Sequence, residues 1–500
     1  MRREALLGVD AGTSSVKVCA FAPDGALLAK ACRPVAIAAS GQGRGELDVV
    51  RYGESVAEAV SEVVSSTELA ILSIGFSTTC PTTILLDEHL DPVRPGLTYL
   101  DNRASRQAEA FAERVGGADH FFSVTGNRCA VSTCSVANLL WVRDCEAKNW
   151  ARARHAGMLN TYLAAKLTGN LAVDWTQASY SGLFSLRDPL RWHADLVHGA
   201  DLPEKLLPPI VPPYERIGTV TEAASRELRI PSGIPVAIGS ADTAAAALAI
   251  GFTDPGTAFE SVGTSGVLSF LLDKPAFDSI FMNRCHVLPR LWLSHGAISM
   301  MGGSLDWLIR SVWPDCRTVQ ELNEWIRDAA PGAHGVVFLP YLSGERCPIW
   351  DPHALGVWYG LTLHTTKVDM VEAVFESGAF ALRQILEHGV RSFGSRIDSV
   401  LAVGEGAKSE SWNQMKADIL DLPYRPAQHA DAAAYGAALM GGMAAGILAP
   451  AISAYPVLER GARTYLPRDA ATRDAYARSY RIFTKLYPAL REVMHAGGNF

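Results

Sequence analysis

Five hundred residues exceed what one ordinary core holds, since domains usually run to about 100–200 residues, so two large domains with a cleft between them are expected. The chain is 48% hydrophobic and 19% charged, which excludes a disordered or fibrous protein. Its net charge of −7, with no long basic run, gives no reason to expect nucleic acid as a partner, whereas an anionic small molecule stays allowed because Mg²⁺ and backbone amides bind phosphate without net positive charge.

In chain order, residues 1–4 carry charges and lead into a short strand and a glycine turn, not into the apolar stretch of a signal peptide. Residues 6–9 predict a strand, 10–15 a turn and 16–21 a second strand, before Pro23-Asp24-Gly25 turns the chain again, which makes a β-meander. Residues 71–76 and 236–238 read as buried strands, 103–114 and 136–143 as helices, and the proline-rich 203–213 as a surface connection. Pro231-Ser232-Gly233 marks a turn into a strand that runs into a helix with Asp242 at its start.

Past the middle, Thr257–Val262 predicts a strand, 263–266 a turn and 267–272 a strand. The same strand, Gly-Thr-Ser turn and strand thus occurs twice, half a chain apart, which points to two domains of related α/β topology. A helix over 367–387, a strand over Ser399–Val403 and a glycine-rich turn follow. Residues 432–449 are apolar except for Tyr435, with Gly442 and Gly446 at GxxxG spacing, but Leu439, Ile447 and Leu448 are their only strongly apolar aliphatic side chains. A close-packed helix is expected there, not a membrane span. Tyr476, Tyr480, Phe483, Leu486, Leu490 and Val493 recur at helical spacing and predict a closing amphipathic helix. The nine cysteines are scattered, with no CxxC pair, which suits a reducing, cytoplasmic compartment.

Phosphoryl transfer needs backbone amides around phosphates, a carboxylate for Mg²⁺ and a base for the acceptor hydroxyl. No GxxxxGK[ST] occurs, which excludes the usual P-loop. In Asp10-Ala11-Gly12-Thr13-Ser14-Ser15-Val16-Lys17, small hydroxyl residues follow a glycine in a hairpin turn, where N–H groups and hydroxyls can converge on phosphate, and Asp10 ends a buried strand where it can hold a hydrated Mg²⁺. An ordinary hairpin with an Asx turn explains the octet equally well. In the second turn Ser261 stands where the first has Asp10, so one turn would carry metal and the other only phosphate. Asp242, taken alone, fits a helix N-cap as well as a base, and the two roles are compatible.

Together these segments resemble the FGGY family of carbohydrate kinases over essentially the whole chain. The most specific match is Gly356-Val357-Trp358-Tyr359-Gly360-Leu361, seven further residues, Asp369-Met370 and Ala373-Val374-Phe375-Glu376, which fits the family's C-terminal signature. Phe338-Leu339-Pro340-Tyr341-Leu342-Ser343-Gly344-Glu345-Arg346 before it and Gly404-Glu405-Gly406-Ala407-Lys408-Ser409 after it are similar to the xylulokinase branch. The resemblance implies two ribonuclease-H-like, actin-like ATPase domains: a sugar-binding one over 1–249 and a nucleotide-binding one over 250–500. It also implies ATP and Mg²⁺, with Asp10 as the metal acid, Gly12, Thr13, Ser14 and Lys17 with Gly263, Thr264 and Ser265 at the phosphates, and Asp242 as general base. Gly302, Asp306, Gly406, Ala407 and Glu410 match positions that line the adenosine site.

Substrate identity is less legible. The loop Ser77-Thr78-Thr79-Cys80-Pro81-Thr82 matches the family's sugar loop in place, yet its Thr79, Cys80 and Pro81 stand where xylulokinases typically have Gln-Met-His and glycerol kinases Gln-Arg-Glu. Tyr99 stands where an aromatic usually faces the sugar, Asp101-Asn102-Arg103 resembles the run that follows it, and Thr243 replaces the amide residue often found after the catalytic acid. Cys80 also fits a plain buried cysteine. The expected reaction is phosphorylation of a small sugar, a ketopentose such as xylulose, with gluconate, glycerol or a tetritol as alternative acceptors. A non-catalytic actin-like ATPase or sugar sensor would add a peptide-binding or DNA-binding module, for which no residues remain. Neither nucleic acid nor membrane is an expected partner; no motif fixes the oligomeric state, and a homodimer stays open.

Overall fold

A strand covered on both faces must be apolar along nearly its whole length, and residues 5–9 and 18–21 meet that condition near the start of the chain. The computed structural model, which describes residues 2–38, 43–188, 191–327, 329–427, 431–451 and 463–496, places β1 (Arg3–Ala11), β2 (Ser15–Phe21) and β3 (Leu27–Pro34) in an antiparallel meander. Helix α1 (Val49–Ser66) starts at Asp48, whose carboxylate accepts the Arg51 N–H at 3.0 Å, and buries Tyr52, Val56, Val60 and Val63 on one stripe. It returns the chain so that β4 (Leu69–Thr78) lies parallel to β1. With β5 (Arg216–Thr219) and β6 (Pro235–Ala237) the sheet has the order β5-β6-β4-β1-β2-β3. Beyond β6, Ser240–Ala241 pairs with the end of β4 and leads into α2 (Asp242–Ala249).

The second half repeats the plan. Strands β7 (Thr257–Val262), β8 (Gly266–Leu272), β9 (Met282–Cys285), β10 (Trp292–Ile298), β11 (Ser399–Val403) and β12 (Tyr424–Pro426) run in the order β9-β10-β8-β7-β11-β12. Antiparallel β7, β8 and β10 followed by parallel β11 and β12 match β1, β2, β3, β4 and β6 in order and direction. Between β10 and β11 lies α3 (Lys367–Phe393), held at its start by a reciprocal pair: the Thr366 hydroxyl accepts the Asp369 N–H, and the Thr366 N–H donates to the Asp369 carboxylate at 2.8 Å.

The halves meet along α2 and α4 (Ala432–Ala444), which share one buried cluster with residues of both sheets, among them Leu6, Phe21, Phe259 and Leu401. Although α4 follows the second sheet in sequence, it lies directly on the first. A β-carbon at Gly8 or Gly75 would stand 1.9 or 2.0 Å from the Ala434 or Ala437 carbonyl oxygen, so these strand positions must be glycine for the helix to seat. A second seam is hydrogen-bonded: the Asn127 side-chain amide donates to the Asn283 carbonyl at 2.9 Å and its oxygen accepts the Asn283 N–H at 2.8 Å, while the Trp175 indole donates to the His286 carbonyl at 2.8 Å.

Several boundaries differ from expectation. Asp10 lies within β1, because the hairpin needs only Gly12–Ser14 to turn. Residues 203–213 are not a plain surface connection: Leu206, Pro208 and Ile210 are buried, and Ile210–Val211 pairs with Val173–Asp174. Helix α4 stops at Ala444 and Gly446 takes a positive φ of 71°, so the apolar run to 449 is not one helix. No helix among the described residues is long and apolar enough to cross a membrane. In the closing helix α5 (Ala470–Ala496), Val493 is exposed and Met494 is buried instead, since the stripe drifts over so many turns.

Candidate active site

The C-terminal ends of the parallel strands carry the acids. Asp10 pairs with Ser77 in the β1–β4 register and Ser77 pairs with Ser240, so Asp10 and the chain just before Asp242 end in one row. That edge of an α/β sheet is where ligands bind, because the strands stop there together and loops diverge. The Ser77 hydroxyl donates to Asp10 Oδ1 at 2.9 Å. Burial first, then the negative charge of Asp242, push the Asp10 carboxyl up to about 6, against the Ser77 hydrogen bond and the charge of Lys17. Lys17, opposite Asp10 on β2, is ion-paired with Asp431 at 2.9 Å.

Asp242 is not the N-cap. Ala241 holds that position with no side chain to cap, and Asp242 is the first residue of α2. Its Oδ1 accepts the Thr243 N–H at 2.6 Å and the Thr243 hydroxyl at 3.2 Å, which leaves Oδ2 without a hydrogen bond among the described residues. Burial raises the Asp242 carboxyl above its usual range and the two Thr243 donors pull it back, so Thr243 acts on Asp242 in this structure. A buried network fixes the approach to Asp242: the Ala241 N–H donates to Thr176 Oγ1 at 2.9 Å, the Thr176 hydroxyl donates to Asp174, and the Asn160 amide donates to Asp174 at 2.8 Å and to the Ile238 carbonyl at 3.3 Å.

Beside this acid stands the candidate sugar wall. The Thr79 N–H donates to the Ala11 carbonyl at 3.0 Å, which ties the loop of Thr79, Cys80 and Pro81 to the end of β1, and the Cys80–Pro81 peptide is cis. Burial pushes the Cys80 thiol and the Tyr180 hydroxyl up, each acts on the other, and the charge of Asp242 raises both further. Burial first raises the Tyr99 hydroxyl above its usual range, Thr13 pulls it back and the charge of Asp242 raises it further, so Tyr99 lies near both the first turn and the candidate base. Asp101 is committed elsewhere: Arg103 donates to both its oxygens at 2.8 and 2.7 Å and the Gly45 N–H donates at 2.8 Å, so it braces the loop behind Tyr99. Sequence reasoning missed Tyr180 and the Arg284 guanidinium stacked 3.7 Å from its ring centre, because these come from separate segments with no local motif.

In both Gly-Thr-Ser turns the glycine N–H bonds within the turn, from Gly12 to the Ser15 carbonyl three residues on at 3.0 Å and from Gly263 to the Ser265 carbonyl two residues on at 2.9 Å. Those glycine N–H groups are therefore used within the turns, and a phosphate would meet Thr13, Ser14, Thr264 and Ser265. Gly302 stacks on the second turn, where a β-carbon would lie 2.4 Å from the Gly263 carbonyl oxygen. A cavity of about 580 Å³ opens beside it, lined by Gly263, Thr264, Gly302, Asp306 and Gly406 together with Asn323 and Ser409, which sequence reading missed. Ser409 caps the helix Glu410–Leu420 and donates to Asn323 at 2.6 Å, a Ser-before-helix signal that could have found it. Ala407 is buried, off the cavity surface, and the exposed Glu410 turns outward to Arg463 at 2.7 Å.

Models of the FGGY family of carbohydrate kinases match the chain with the N-terminal domain over residues 5–249 and the C-terminal domain over 258–445. Over 443 residues the chain is 27% identical to a xylulose kinase of Staphylococcus xylosus, covering 88% of this chain and 90% of that protein. It is 25% identical to a gluconokinase of Bacillus subtilis, covering 88% of each. A crystal structure of a "xyloylose kinase" from Brucella ovis superposes with a TM-score of 0.90 at 30% identity, over 98% of this chain and all of that one. This likeness over both halves establishes the expected two-domain, actin-like arrangement.

Proposed function

Because the chain belongs to the FGGY family of carbohydrate kinases, and is thus a sugar kinase, we propose that it transfers the γ-phosphoryl group of MgATP to a hydroxyl of a ketopentose such as xylulose, with Asp242 as general base. The observation that carries this reading is Asp242 itself: a carboxylate with one oxygen held by Thr243 and the other uncommitted among the described residues, whose charge acts on Tyr99, Cys80 and Asp10. In the reaction, Asp242 Oδ2 accepts the proton of the acceptor hydroxyl as that oxygen bonds to phosphorus, and the bond from phosphorus to the β,γ-bridging oxygen breaks to leave ADP. Residues 1–249 would hold the sugar through Thr79, Cys80, Pro81 and Tyr99. Residues 250–500 would hold the nucleotide, with adenosine in the cavity beside Gly302 and Gly406.

The residues present fit a hydrated Mg²⁺. Asp10 offers one half-buried carboxylate, and a single carboxylate suits a cation that keeps most of its waters. When bound, Mg²⁺ would neutralise phosphate charge, held by Asp10. Ser77 orients Asp10, and the amides of Thr13 and Thr264 would receive the phosphates on either side of the cleft.

A sugar acid is the second reading, favoured by Arg284. Its guanidinium is buried, makes no ion pair among the described residues, and leaves Nε and Nη2 without hydrogen-bond partners there, behind the wall formed by Tyr180 and Cys80. A screen of ketopentoses, polyols and aldonates for ADP release, with and without Mg²⁺, tests both. The fastest Mg²⁺-dependent release is expected with xylulose. A preference for an aldonate selects the second reading, and no sugar-dependent release with any of them sinks the proposal.

A further inference from the structure

The charges placed at the transfer point do not balance. Asp10 and Asp242 already oppose one another there, and an incoming triphosphate adds more negative charge. Of the nearby cations, Lys17 is paired with Asp431 at 2.9 Å and Lys408 with Glu405 at 2.7 Å. Arg346 differs. Its guanidinium makes one hydrogen bond, from Nη2 to the Ile298 carbonyl at 3.3 Å, and no ion pair among the described residues. Its neighbour Glu345 makes no ion pair with it: that carboxylate accepts the N–H groups of Ser299 and Arg346 at 2.7 Å each, and burial pushes it up to about 7, while the Arg346 charge pulls it back.

A geometric attachment and an electrostatic neighbour locate Arg346. On one side, the Cys347 N–H donates to the Ala297 carbonyl at 3.0 Å, which docks the segment along the end of β10. Ile298, whose carbonyl receives the guanidinium, pairs with Gly266, the first residue after the second Gly-Thr-Ser turn. On the other side, the charge of Arg346 acts on Tyr99, which also feels Asp242. The guanidinium therefore stands at the end of β10 beside the second turn, with its charge reaching Tyr99, on the phosphate side of the cleft.

We infer that Arg346 is a further catalytic residue, the cation that hydrogen-bonds the equatorial oxygens of the γ-phosphoryl group as it moves from ADP to the sugar. The inference rests on the kinase reading above. A planar guanidinium presents paired donors that match phosphoryl oxygens, and in a dry site such a cation favours the transition state, where charge spreads onto those oxygens, over the ground state. The transfer itself is unchanged: the proton goes to Asp242, the new phosphorus–oxygen bond forms to the sugar and the old one breaks to ADP. Arg346 gains and loses no proton.

The test compares wild type, Arg346→Ala and Arg346→Lys in the sugar-dependent ADP-release assay, with thermal unfolding measured on each protein. Arg346→Ala should lose about 100- to 1000-fold in kcat while KM for sugar and for ATP changes little, with an unfolding temperature near wild type. Added guanidinium ion, below denaturing concentrations, should restore at least about tenfold of that loss, and equal sodium chloride should not, a rescue that a residue merely pinning Ile298 would not give. Arg346→Lys keeps the charge without the fork and should stay about tenfold or more impaired in kcat. If the alanine variant does not fold, the lysine variant decides alone. A wild-type-like kcat, a loss confined to KM, or a loss that guanidinium cannot reverse overturns the inference while the kinase reading stands. Wild-type protein inactive with every sugar overturns both.

Discussion

Replacing Asp10 by Asn removes a charge from a place that disfavours it, so the metal-free enzyme should become more stable at alkaline pH while losing its Mg²⁺ response. The folded carboxyl titrates near 6 against an ordinary 3.8, so between those values the native state holds a proton that the unfolded chain has released. Wild-type stability therefore falls as pH rises through that window, and the deficit persists above it. The full shift corresponds to about 3 kcal/mol at pH 8 and about half of that at pH 5. Because the residue is only partly buried, solvent screening reduces the expected gain of Asp10→Asn to about 1–2 kcal/mol at pH 8. In the wild type the ionised fraction of Asp10 drops about tenfold from pH 7 to pH 5, and the Mg²⁺ needed for half-maximal turnover should rise by about that factor relative to the variant, whose weak residual requirement lacks this dependence. Calorimetric unfolding of both proteins without metal at pH 5 and 8, with Mg²⁺ titrations of turnover, checks the chain of reasoning. An Asn variant that unfolds at or below the wild-type temperature at pH 8 and keeps normal Mg²⁺ dependence would refute it.

Two further outcomes are expected. Burial lifts the Glu372 carboxyl on α3 to about 8, with its Oε2 lacking a hydrogen-bond partner among the described residues, so wild-type stability should fall as pH rises from 5 to 8, and denaturant midpoints of Glu372→Gln should exceed wild type by a margin that widens over that range. A constant margin would contradict that assignment. If the proposed sugar loop and adenosine cavity belong to opposite domains that close on one another, sugar and a non-hydrolysable ATP analogue should tighten each other's binding by the same factor, corresponding to about 1–3 kcal/mol. Calorimetric titration of each ligand with and without the other checks this, and equal affinities in both arms would deny cooperative closure.

What the sequence revealed follows from how local each signal is. The hairpin Thr257–Val262, its turn and the strand Ser399–Val403 were legible to the residue or nearly so, because a glycine turn between apolar runs is a short-range instruction. The duplicated turn announced the duplicated sheet. Asp242 was legible as the start of a helix but not as its first helical residue, since the cap position fell on Ala241, which sequence preference argues against. That α4 seats on the first sheet was hidden: it depends on Gly8 and Gly75 meeting carbonyls more than 350 residues away in the chain. The juxtapositions of Tyr180 with Arg284 and of Arg346 with Ile298 were hidden for the same reason, since each joins segments far apart in the chain.

The account turns on Asp242 as the base, and the most direct measurement is the turnover of Asp242→Asn with the sugar the screen identifies, at saturating MgATP. The substitution removes the proton acceptor and changes shape little, and since the Asn side-chain oxygen can still accept the Thr243 N–H, the fold should survive. A fall in kcat of about 100-fold or more, with an unfolding temperature near wild type, is the predicted result. Turnover close to wild type would show that Asp242 takes no proton and would contradict the mechanism.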